Sequence, residues 1–99
     1  MAQEIDEQFY ERADAHIHLS NEQAQSIGRG KVSASMMYAT ARFNAWVSAT
    51  GFSEKEQMAS TRQETIEYFV EQYRSMLESN LDDYISNFES YMQVGDTNV

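Results

Sequence analysis

The chain has 99 residues, sixteen acids against seven bases, and a formal net charge of −9. It has no cysteine, which excludes disulfides, thiolate catalysis and cysteine-bound zinc or iron–sulfur clusters. Phosphate recognition relies on lysine and arginine, so nucleic acid and anionic membrane are not expected partners, and the length suits one domain with a thin core.

The chain opens on MAQEIDEQF, acidic and without the basic-then-apolar run of a signal peptide. Residues 1–4 are expected to fray. A first helix over about residues 6–27 follows. Asp6 suits the positive end of its dipole, and Phe9, Ala13, Ile17, Ala24 and Ile27 form an apolar stripe at spacings of three and four. His16 and Ser20 fall on the same side. Glycine at 28 and 30 ends the helix, since glycine tolerates the left-handed backbone of a helix exit.

Val32–Thr50 comes next, with one charge, Arg42, and no acid. Apolar and small residues occupy almost every side of its helical wheel. The expectation is a helix over about residues 34–50, capped by Ser33, ended at Gly51 and mostly buried, with the other helices packed on it. Phe43 and Trp46 would supply large buried areas, and alanines at 34, 39, 41 and 45 would let neighbouring backbones approach. Charge is unevenly spread: Arg29, Lys31 and Arg42 are unopposed within Gly28–Thr50, whereas the acids lie elsewhere.

Ser53–Glu56 has the S-x-x-E form of a capping box and predicts a helix from about 54 to 78. Apolar residues then continue. Positions 66, 70, 73, 77, 81, 84, 88 and 91 keep a heptad rhythm with one slip at Leu77–Leu81. An unbroken helix would project beyond a small domain. The expectation is a break at Ser79-Asn80, with Asp82 and Asp83 in the first turn of a C-terminal helix over about 81–92. Residues 1–94 would form one helical domain and 95–99 a flexible tail. No apolar run reaches the ~20 residues of a membrane span, and a cytoplasmic protein is expected.

The fold class is therefore all-α, a small antiparallel helical bundle. Two stretches carry a resemblance: ADAHIHLSN from Ala13 to Asn21, and VSASMMYATARFNAW from Val32 to Trp46. Together they resemble a small proteobacterial family known as domain of unknown function 3144, over roughly residues 9–88. The resemblance implies a small bacterial single-domain protein with no assigned activity, and it brings no catalytic residues.

The residues themselves hold little chemistry. His16 and His18 lie about 200° apart on a helix, so they cannot share a metal, for which helices use i,i+3 or i,i+4 pairs. Asp14 and His18 do lie four apart, as a surface ion pair or a weak two-ligand site. His16 is either a hydrogen-bonded core histidine or a general base. Arg42 and Asn44 are the polar exceptions on the central helix. Arg42 either pairs with an acid such as Glu11 or Glu64, or receives an anion or a partner. No nucleophile–base pair and no phosphate loop is evident. No cofactor and no enzymatic activity are expected. Tyr73, Leu77, Leu81, Tyr84, Phe88 and Tyr91 form an aromatic-rich stripe suited to an interface. The first expectation is a protein-interaction or structural module, a homo-oligomer (dimer) or the partner of another protein. The alternative is a small-ligand or anion binder using Arg42 and His16.

Overall fold

The first helix begins where Asp6 is pinned by its neighbours. Asp6 Oδ1 accepts from the Gln8 N–H at 2.9 Å, and the Arg12 guanidinium forks onto both carboxylate oxygens at 3.3 and 2.9 Å. This closes residues 6–8 as a turn, and α1 runs Phe9–Ile27. In the computed structural model, which describes residues 5–93, four more helices follow: α2 Arg29–Ala49, α3 Lys55–Ser60, α4 Arg62–Ser86 and α5 Phe88–Met92. The described residues hold no strand, as the all-α expectation requires. The expected frayed start (1–4) and most of the tail (95–99) lie outside the described residues.

The chain divides into two compact units, residues 5–58 and 59–93, with the boundary inside α3. The first unit is a helical hairpin. α1 and α2 are separated by Gly28 alone, at φ 99° and ψ 150°. Only glycine visits that backbone region without substantial strain. Gly30, expected in the loop, is instead helical. Ser33 therefore lies inside α2 rather than capping it. The reversal is real and not a kink: Ser20 Oγ reaches Met36 Sδ at 3.4 Å, although sixteen positions along one straight helix span about 24 Å. Phe9, Ala13, Ile17, Ser20 and Ala24 line the sheltered side of α1, and Val32 and Met36 meet them from α2. Val32, 5% exposed, is the one buried residue among those described.

Two expectations about this hairpin are corrected. α2 is not a buried hub: Phe43 and Trp46 are each 62% exposed. One antiparallel neighbour shelters one stripe of a helix, and α1 is the long helix that this unit packs on α2. The wheel of apolar residues on α2 is thus mostly open. His16 and Ile27 are also exposed rather than core. His16 falls at the edge of the α1 row, and Ile27 is the last residue of α1, beside the Gly28 turn.

α2 ends in tight turns: the Gly51 N–H donates to Ser48 O and the Phe52 N–H to Ala49 O, both at 3.1 Å. Gly51 does not take the left-handed conformation expected of it, since Gly28 is the one residue with positive φ among those described. The capping box is also displaced. Ser53 donates its N–H and its hydroxyl to Gln57 Oε1, both at 3.4 Å, one residue beyond Glu56. The helix expected over 54–78 is not continuous: α3 stops at a bend at Thr61 (φ −106°, ψ 13°), where α4 begins.

The second unit centres on α4, 25 residues or about 37 Å. The expected break at Ser79-Asn80 does not occur. Asn80 Nδ2 donates to the Met76 carbonyl one turn back at 2.8 Å, so its amide supports the helix instead of capping a new one. The break comes at Asn87, at φ −116° and ψ 28°. There Asn87 Nδ2 donates to both the carbonyl and Oδ1 of Asp83, each at 3.0 Å. Asp82 and Asp83 accordingly lie inside α4 rather than in the first turn of a fresh helix.

Candidate functional site: two exposed apolar faces

α4 presents a row of large apolar side chains to solvent. Ile66, Val70, Tyr73, Leu77, Leu81 and Ile85 are all exposed, Ile85 most at 71%. Their steps of three and four place them on one side of the helix, and Phe88, also exposed, follows at the start of α5. A row of acids, Glu67, Glu71, Glu78 and Asp82, follows one position later, about 100° around the helix. Glu71 meets Arg74 at 3.7 Å with both side chains exposed, a pair that contributes little.

Four of the six residues expected at an interface are open on this row: Tyr73, Leu77, Leu81 and Phe88. The other two are occupied within the unit. Tyr84 and Tyr91 are half-buried, with ring centroids 4.8 Å apart at 63°. The Tyr91 hydroxyl donates to Asp83 Oδ2 at 3.0 Å and Oδ1 at 3.2 Å. That bond favours the neutral phenol and holds the Tyr91 pKa above its usual value. The pair ties α5 back onto α4.

The second face lies on α2. Tyr38, Ala39, Arg42, Phe43, Ala45 and Trp46 line a shallow open groove along one helix. The Phe43 and Trp46 rings stand 5.7 Å apart, tilted by 35°. Arg42 makes no ion pair with Glu11 or any other described acid of its own unit. Sequence reasoning placed these aromatics in a core. The signal that should have moved them outward is Arg42 itself, which needs water or an acid beside it. Asn44, also on α2, is half-buried.

His16 and His18 are both exposed on α1, and His16 is not among the residues lining the Arg42 groove. Among the described residues, no three histidine or carboxylate side chains converge as a metal cluster would need. No helix among them is long and apolar enough to cross a membrane.

No curated protein matches the chain. A solved structure does: the NMR structure of the protein NB7890A from Shewanella sp is 42% identical, covers 95% of this chain and 100% of its own, and superposes with a TM-score of 0.76. A family model, Protein of unknown function (DUF3144), matches residues 9–85. Both expected motifs, at 13–21 and 32–46, fall inside that match, and the chain belongs to this family.

Proposed function

We propose that this protein is a non-enzymatic interaction module that self-associates through the apolar row of α4. The supporting observation is that row itself. Six large apolar residues on one side of a 25-residue helix stay in water, whereas soluble monomers rarely expose contiguous apolar patches above a few hundred Å². Val32 alone is buried among the described residues, which is little core for a chain that is 41% hydrophobic. Burying apolar surface contributes about 25 cal/mol per Å², and a second copy is the simplest source of cover. The setting we propose is cytoplasmic, which the acid-rich, cysteine-free composition suits.

Light scattering across a concentration series tests this reading. The wild-type chain is expected to give twice its 11.4 kDa mass. The double variant Leu77→Glu/Ile85→Glu, changed at two exposed positions, is expected to remain helical and give the single-chain mass. A wild-type chain of single-chain mass at every concentration overturns the proposal.

A further inference from the structure

α4 carries six acids against two bases, a net −4, whereas α2 carries three bases and no acid. Both present an open apolar face with its charge at the border. On α4 the acid row from Glu67 to Asp82 flanks the apolar row. On α2 the cation is Arg42, set among Tyr38, Phe43 and Trp46. Pairing α4 with α4 of a second copy brings two surfaces of −4 together, and like charges across an interface are costly. Pairing it with α2 sets +3 against −4.

We propose that the occupant of the Tyr38–Trp46 face is α4 of a second copy of this chain. The inference rests on the self-association proposed above and names the surface that receives the row. Two such contacts related by a two-fold axis close a dimer and use both open faces of both chains. The composition of the α2 face fits that role: tryptophan, tyrosine and arginine are the residues enriched among interface hot spots. Arg42, which has no acid beside it within its own unit, would be met by the acid row.

Trp46 is the one tryptophan in the chain and reports directly on this face. The experiment follows its emission from dilute to concentrated wild-type protein, with mass measured in parallel at low and at 0.5 M sodium chloride. The expected result is a blue shift in step with doubling of the mass. Dimer dissociation is expected to rise several-fold at the higher salt, because opposite charges are screened. Arg42→Glu, at an exposed position, is expected to weaken the dimer about tenfold or more while leaving the helix content unchanged. Doubling of mass with Trp46 emission fixed at that of a wet indole, or a dimer that tightens with salt and ignores Arg42→Glu, overturns this inference and leaves the self-association standing. A chain that never doubles its mass overturns both.

Discussion

At the scale of single residues, Gly28 determines the hairpin. At φ 99° and ψ 150° a side chain is strained by about 1–3 kcal/mol, although nothing lies within 4 Å of where a Cβ would stand. Gly28→Ala is therefore expected to lower the melting temperature measured by circular dichroism. Gly30→Ala is expected to raise it, since Gly30 is helical with open space around its Cβ position, and alanine there gains about 0.5–1 kcal/mol. Equal effects from both would show that the turn is not built on Gly28. Val32→Ala removes two buried methyl groups and should cost about 1.5–2.5 kcal/mol in denaturant unfolding.

The Asp6–Arg12 fork makes a further prediction. The Arg12 hydrogen bond, with the Gln8 N–H, holds the Asp6 pKa below its usual 3.8. The folded value is depressed, so the contribution to the start of α1 is fully present above that usual value. It is lost as pH falls through the lowered folded one. Carboxylate shifts in an NMR titration should show an Asp6 midpoint below 3.8, returning upward in Arg12→Ala.

At the scale of elements, helix type was legible and helix ends were not. Apolar spacing marks the helical stretches but not their division, because a periodicity of three and four survives any choice of partner and continues across the bends at Thr61 and Asn87. Ends depend on what a single polar side chain does. Asn80 could have capped a new helix, yet it bonds back to Met76. Asn87 is where the helix breaks. Gln57 rather than Glu56 answers Ser53. In each case two hydrogen-bonding choices lie within about a kilocalorie of each other, which no spacing rule resolves. The α4–α5 closure is testable on its own. The Tyr91 pKa is raised by its bond to Asp83, so that contribution is present below the ordinary tyrosine value. It is lost as pH rises through the higher folded one. A phenolate absorbance titration should lose its latest step in Tyr91→Phe, and α5 amides should exchange faster in that variant.

At the scale of the whole molecule, the misreading of α2 is the instructive one. An apolar wheel says that a helix will be covered, not by what. Sequence reasoning assigned the cover to the same chain, but each unit leaves its principal helix largely open: Trp46 in one, Ile85 in the other. The apolar row on α4 was legible because its spacing repeats along a 25-residue helix. The α2 groove was hidden because the same residues satisfy a core pattern equally well. If a second copy supplies the cover, folding is coupled to association. The melting temperature should then rise with protein concentration, as differential scanning over a hundredfold range would show.

Sedimentation equilibrium of the unmodified chain tests the central claim most directly. The account predicts a reversible rise from 11.4 kDa to twice that mass as concentration increases. A single species of 11.4 kDa throughout would contradict it.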